Sequence, residues 1–245
     1  MSFRGKRVLI TGGGSGAGAD LARGFAEAGA EVVISGRRED ALRVVAEPLG
    51  ARWVQADVSD EGSVAAMFRA AGPCDIVIAN AGAADSGVLA KTTLAQWNAM
   101  IAVNLTGVFL TFREALGQFR GDGRLIAVAS TAGLKGYAKV APYAAAKHGV
   151  VGLVRSLALE VARKGITVNA ICPGFLDTPM TAHSVEVIAG KTGKSLAEAR
   201  AALEGLSPQG RLYQPSEVTA AALYLASGAA SGVNGACLSI SGGEV

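Results

Sequence analysis

An apolar run, a cluster of glycines and a helical stretch follow one another at the start of this chain, and that order restricts the fold more than anything else in it. Arg7-Val-Leu-Ile-Thr11 ends in Gly12-Gly-Gly-Ser15-Gly16-Ala17-Gly18, after which Ala19 to Ala28 reads as a helix closed by Gly29. Strand, glycine loop and helix in succession let backbone N–H groups and a helix N-terminus approach a pyrophosphate. A glycine cluster alone is a weak signal; between a strand and a helix it is a strong one.

The same alternation continues along the chain. Glu31 to Ser35 is a second strand, ending in Gly36-Arg37-Arg38 and followed by Glu39 and Asp40. The two acids suit a helix N-terminus. The two guanidiniums suit a 2′-phosphate, which they can grip bidentately, or are a solvated basic turn. Trp53 to Val58 is a third strand carrying Asp57, which either meets a ligand or caps a helix beginning near Ser59. Asp75 to Ala79 is a fourth, running into Asn80-Ala81-Gly82, where small residues let the backbone pass close to a ligand. Further strands are expected at 124–130, 167–172 and 236–240, and helices at 94–119, from Pro142 to about 163, from about 196 to 204, and 215–227. Between Phe175 and Gln209 no strand can be placed, and so long an insertion has the character of a functional lid. With no repeat or linker, the pattern predicts one α/β domain over 1–245 with a lid at about 175–209.

Three features carry chemistry. Tyr143 and Lys147, four residues apart across three alanines, share one helix face. An ammonium there favours the phenolate and lowers the phenol pKa toward values useful for proton transfer. Any surface helix can show the same spacing. Ser130 is expected at the C-terminal end of a strand, where ligands bind in open α/β sheets. Asn104 and Gly107 weaken the middle of a long helix, which marks either a kink with a purpose or a packing kink.

Composition narrows the classes. Half the residues are apolar and 18% charged, enough for a large core, and the net charge of +3 comes from dispersed basic residues with no run marking a nucleic-acid surface. Val8-Leu9-Ile10 is too short for a signal peptide, and no apolar stretch reaches about 18 residues, so no membrane span is expected. Cys74, Cys172 and Cys237 lie far apart without a C-x-x-C and read as reduced packing thiols of a cytoplasmic protein. His148 and His183 are too isolated for a metal site.

With these residues in place, the chain resembles the short-chain dehydrogenase/reductase family over essentially its whole length. Thr11-Gly12-x-x-x-Gly16-x-Gly18, Asp57-Val58, Asn80-Ala81-Gly82, Asn104, Ser130, Tyr143-x-x-x-Lys147 and Pro173-Gly174 match the family's motifs in the family's order. The resemblance implies a single-domain Rossmann fold with a doubly wound, seven-stranded parallel sheet, usually as a homotetramer. It implies Tyr143 as general acid/base, Ser130 on the substrate oxygen, Lys147 on the nicotinamide ribose and Asn104 holding a water in a proton relay. For the cofactor it implies Gly12, Ser15, Gly16, Ala17 and Gly18 at the pyrophosphate, Asp57 and Val58 near adenine, and Asn80, Ala81 and Gly82 by its ribose. Arg37 and Arg38 favour NADP(H), with NAD(H) possible; Thr178, after Pro173-Gly174, meets the nicotinamide amide. Ala17 and Ala79 depart mildly from the family pattern. Ala141-Pro-Tyr143-x-x-x-Lys147-His148-Gly-Val-Val151, the stretch from Gly165 to Met180 and Gln214 to Val218 are most similar to 3-oxoacyl thioester reductases and aromatic polyketide ketoreductases. A small carbonyl or alcohol substrate linked to CoA or an acyl carrier protein follows, with a steroid, polyol or other secondary alcohol as the alternative. The thioester substrate leads one to expect Lys135, Lys139, Lys191, Lys194 or Arg211 at the pocket mouth.

Overall fold

The computed structural model describes residues 1–245. In chain order the strands are β1 (Arg7–Thr11), β2 (Glu31–Gly36), β3 (Arg52–Gln55), β4 (Ile76–Ala79), β5 (Gly123–Val128), β6 (Ile166–Pro173) and β7 (Cys237–Ile240). The helices are α1 (Gly16–Glu27), α2 (Glu39–Leu49), α3 (Glu61–Ala71), α4 (Leu94–Ile101), α5 (Gly107–Gln118), α6 (Ala141–Val161), α7 (Pro179–Thr192), α8 (Leu196–Glu204) and α9 (Pro215–Ala226). All seven strands pair in parallel, in the order β3-β2-β1-β4-β5-β6-β7. The order reverses between β1 and β4, and the crevice beyond their C-terminal ends is where an open α/β sheet holds its ligand.

Both faces of the sheet are covered, which is why its strands are mostly apolar on both faces rather than alternating with polar residues. Successive side chains still point to opposite faces. Val8, Ile10, Ile76, Ile78, Ile126 and Val128 meet α1, α2 and α9. Leu9, Val77, Ala79, Leu125 and Ala127 meet α3, α5 and α6 on the other side. A smaller cluster, Val185 of α7 with Ala199 and Leu203 of α8 and Leu212, holds the insertion together.

Several boundaries differ from the sequence expectation. Helix α1 begins at Gly16 rather than Ala19. Strand β3 ends at Gln55 and β5 at Val128, so Asp57 and Ser130 stand in the turns beyond them. Apolar residues carry on past those points, but the ladder partners have run out. Asp57 does not cap the next helix: α3 begins at Glu61 and is capped by Asp60, whose Oδ1 accepts from the Ser63 amide. The insertion contains α7, which the sequence pattern did not reveal, while the expected helix at about 196–204 is α8, opened by a capping box of Ser195 and Glu198.

The long helix over 94–119 is two helices joined by a π turn at Ala102–Thr106. Leu94–Gln118 is long enough, and over an 18-residue window with a mean hydropathy of 1.3 apolar enough, to cross a membrane by length and composition alone. Its apolar residues have a different use here: Val108, Leu110, Phe112 and Ala115 lie buried in the core.

Phe68 of α3 is fully buried in the same core. Phe68→Ala should lower the unfolding free energy by about 3–5 kcal/mol, measured by urea denaturation. A loss below about 1 kcal/mol would mean that α3 does not hold this face of the core.

Candidate active site

The crevice at the switch point is built first by glycine. Gly12 and Gly16 have φ of 69° and 54°, backbone that a side chain disfavours. At Gly18 a Cβ would stand 2.1 Å from the Gly12 carbonyl oxygen, so α1 starts against its own loop. Ser15 is the N-cap of α1, but its hydroxyl bonds no amide of the first turn. Those amides therefore have no side-chain partner and favour an anion. Thr178, at the start of α7, leans over the loop, its Cγ2 3.4 Å from where a Cβ on Gly16 would be.

Thr11 and Asn80 close the loop from the β4 side. Thr11 Oγ1 accepts from the amides of Asn80 and Ala81, both at 3.0 Å. Asn80 Nδ2 donates to the carbonyls of Thr11 (2.9 Å) and Gly12 (3.3 Å). The Asn80 amide group is thus engaged in shaping the loop, a task the sequence did not reveal, and Thr11 is a functional residue without an expected role.

Asp57 lies beyond β3. Its Oδ1 accepts from the hydroxyl and amide of Ser59 at 2.6 and 2.9 Å, and these bonds, with nearby Arg37, hold its carboxyl below the usual range. Val58 is buried against Gly107, where a Cβ would lie 2.8 Å from Val58 Cγ2. Arg37 and Arg38 are exposed at the end of β2, and neither forms an ion pair, whereas Glu39 behind them pairs with Arg43 at 2.7 Å. Pro173 ends β6, and the Gly174 amide donates to the Ile240 carbonyl at 3.0 Å.

Ser130, Tyr143, Lys147 and Asn104 come together beyond β4 and β5. Ser130 begins a 3₁₀ turn, its hydroxyl accepting from the Ala132 amide at 3.1 Å. Tyr143, in the first turn of α6, is half-buried. Lys147 Nζ lies 5.6 Å from the Tyr143 ring centre and donates to the Val128 carbonyl at 2.9 Å. A Cβ on Gly82 would stand 2.9 Å from Asn104 Oδ1 and 3.8 Å from Lys147 Nζ, so Gly82 lies between them. Asn104 is fully buried in the π turn. Its Nδ2 donates to the carbonyls of Ala83 (2.9 Å) and Met100 (3.1 Å), and its Oδ1 accepts from the Ala83 amide (3.2 Å). The helix interruption therefore has a purpose: it frees a side-chain amide to clamp the strand of chain after β4.

The electrostatics correct one expectation. The Tyr143 phenol is raised, not lowered: burial dominates, opposed by hydrogen bonding with the Ser130 side chain. Burial also lowers Lys147, to about 8. The ammonium sits over the ring and bonds a carbonyl, so in the ligand-free protein it does not offset the desolvation of the phenol.

The five expected cations divide. Lys135 pairs with Glu244 at 3.0 Å and Arg211 with Glu217 at 2.7 Å. Lys191 Nζ donates to the Ser86 carbonyl, and the Lys139 carbonyl accepts from the Gly87 amide. The segment after Gly82 is thus held between α7 and the loop before α6. The ammoniums of Lys139 and Lys194 have no ion-pair partner.

A family model described as enoyl-(acyl carrier protein) reductase matches residues 12–244. Cis-4-hydroxycyclohexanecarboxylate dehydrogenase of Sinomonas cyclohexanicum is 41% identical over 253 residues, 99% of this chain and 97% of that protein. The 3-oxoacyl-(acyl-carrier-protein) reductase of Salmonella typhimurium is 34% identical over 252 residues, 99% of this chain and 98% of that protein. The crystal structure of a single-site variant of actinorhodin polyketide ketoreductase with NADPH superposes with a TM-score of 0.92 at 37% identity, covering 98% of this chain and 97% of that one.

Lys147 gives a pH signature. Below about 8 the folded and unfolded chains both carry its charge, and the fold bears the full penalty of burying it. As pH rises from about 8 toward the ordinary 10.5, the unfolded chain holds the extra proton, so this group's contribution to stability increases. Without cofactor, wild type should therefore gain stability relative to Lys147→Met over that range in urea denaturation. A gap independent of pH would show that Lys147 is not desolvated.

Proposed function

The chain belongs to the short-chain dehydrogenase/reductase family, and from that membership we propose that it is an NADP(H)-preferring reductase of 3-oxoacyl thioesters, reversible as a 3-hydroxyacyl dehydrogenase. One observation carries the reading: the Ser130 side chain lies close enough to Tyr143 to favour ionisation of its phenol, beside Lys147 and Asn104, at the C-terminal edge of the sheet next to the glycine loop. The same chemistry suits a second reading, a secondary alcohol or ketone of another class as substrate. The likeness to an enzyme named for a hydroxycyclohexanecarboxylate keeps that second reading open.

The residues fit a bound dinucleotide. The loop has no room for Cβ atoms at Gly12 and Gly18, the amides at the start of α1 favour a pyrophosphate, and Arg37 and Arg38 are free for a 2′-phosphate. Asp57, Asn80, Gly82 and Thr178 line the rest of the crevice. When bound, NADPH supplies the hydride that reaches the carbonyl carbon.

The protein's own groups manage the oxygen. Ser130 and Tyr143 donate hydrogen bonds to the carbonyl oxygen as negative charge develops on it, and Tyr143 delivers the proton. A raised phenol pKa suits this direction, because the acid is protonated and ready. Lys147, adjacent to Tyr143, stabilises the phenolate that remains, and Asn104 supports the path by which Tyr143 is reprotonated. Lys139 and Lys194, unpaired, are the cations available to CoA phosphates or an acidic carrier protein.

Initial rates with NADPH and NADH against 3-oxoacyl thioesters of increasing length, beside a panel of cyclic and steroid ketones, test the substrate class. Higher kcat/KM on the ketone panel would move the assignment to the second reading. Tyr143→Phe should lower kcat by at least about 10²-fold, and near-wild-type turnover would remove the mechanism. Arg37→Asp should shift the kcat/KM ratio toward NADH by repelling the 2′-phosphate. An unmoved ratio would assign that contact to another group.

A further inference from the structure

The segment after β7 holds a carboxylate that the chemistry above leaves without a task. Glu244 follows Gly242 and Gly243, whose φ values of 58° and 93° turn the chain back over the sheet edge. Its side chain is only 3% exposed. Oε1 receives the Tyr137 hydroxyl at 2.5 Å and Lys135 Nζ at 3.0 Å. The Tyr137 hydroxyl also lies 2.6 Å from Thr131 Oγ1. A phenol has one proton, so it donates to the carboxylate, the stronger acceptor, and accepts from Thr131. Lys135 Nζ lies 5.0 Å from the centre of the Tyr137 ring. On its other side Oε2 lies 3.3 Å from where a Cβ on Gly174 would stand, a packing contact without a hydrogen bond.

Burying a carboxylate is costly unless it is paired and hydrogen-bonded. Here both polar partners of the Glu244 carboxylate, Lys135 and Tyr137, belong to the short stretch 131–137, which leads directly from Ser130. Tyr143 is also close enough to Tyr137 to oppose the ionisation of the Tyr137 phenol. The carboxylate therefore braces the piece of chain between the serine and the tyrosine. Catalysis by two hydroxyls on one oxygen is sensitive to misplacement on the scale of 1 Å.

We infer that Glu244 is a positioning residue: through Tyr137 and Thr131 it fixes the loop after Ser130, and with it the place of the Ser130 hydroxyl against the substrate oxygen. This rests on the roles proposed above for Ser130 and Tyr143.

Tyr137→Phe keeps the ring and the Glu244–Lys135 ion pair and removes only the hydroxyl link. Its kcat should fall about ten-fold or more, with the NADPH dissociation constant and Tm unchanged. Glu244→Ala should fall at least as far. Glu244→Gln, which keeps an acceptor for the phenol, should recover most of the activity. The double variant Tyr137→Phe/Glu244→Ala should be no worse than Glu244→Ala, since both cut one linkage. Wild-type kcat in Tyr137→Phe, or NADPH affinity falling in step with kcat, overturns the inference; if Glu244→Ala does not fold, Tyr137→Phe decides. If the wild type reduces no carbonyl, the functional reading fails by itself, and titration of tyrosinate absorbance decides this one. Glu244→Gln should move one phenol ionisation to lower pH, a step that Tyr137→Phe abolishes. An unchanged titration in Glu244→Gln overturns the inference.

Discussion

Two neighbouring parallel strands send their chains in opposite directions, and Asn80 and Thr11 tie the ends together at that point. The clamp uses four hydrogen bonds that join Thr11 and Gly12 at the end of β1 to Asn80 and Ala81 just beyond β4. Both core layers require the strands to be largely apolar on each face, so the sheet interior leaves little room for polar chemistry. Polar groups gather where the ladder stops, beyond the C-terminal ends. The dinucleotide crevice and the Ser130–Tyr143 pair are thus set side by side by the same break in strand order.

Burial at that edge sets the protonation state of the free protein. It keeps the Tyr143 phenol protonated and makes the Lys147 charge less favourable, because neither group reaches bulk water easily. A protonated phenol beside Ser130 is an acid poised for a carbonyl oxygen. The ammonium matters most after the proton has left, when a phenolate must be accommodated beside it.

Much of this was legible in the sequence because the relevant signals are local. Apolar runs ending in glycine gave the strands, and the spacing of Tyr143 and Lys147 gave a shared helix face. What escaped depended on distant contacts. The direction of the Tyr143 shift follows from burial, which no four-residue spacing reports. Helix α7 is rich in Thr, Ser, Val and Gly, poor helix formers, and is held by Val185 packing on α8. Glu244 finds Tyr137 across 107 positions of sequence, with no periodic pattern to announce it. Asp57 and Ser130 were assigned to strands because small apolar neighbours extend the pattern past the last paired residue.

The π turn at Ala102–Thr106 sets the phase between α4 and α5. It accommodates one residue more than a regular α-helix would over the same length. Straightened into an α-helix with every residue kept, the chain beyond it would rotate by about 100°, swinging Phe112 and Ala115 off the sheet. The Thr93 capping box anchors the near end and the core anchors the far end. The irregularity therefore cannot anneal locally, and the Asn104 clamp on Ala83 is in place before any ligand arrives.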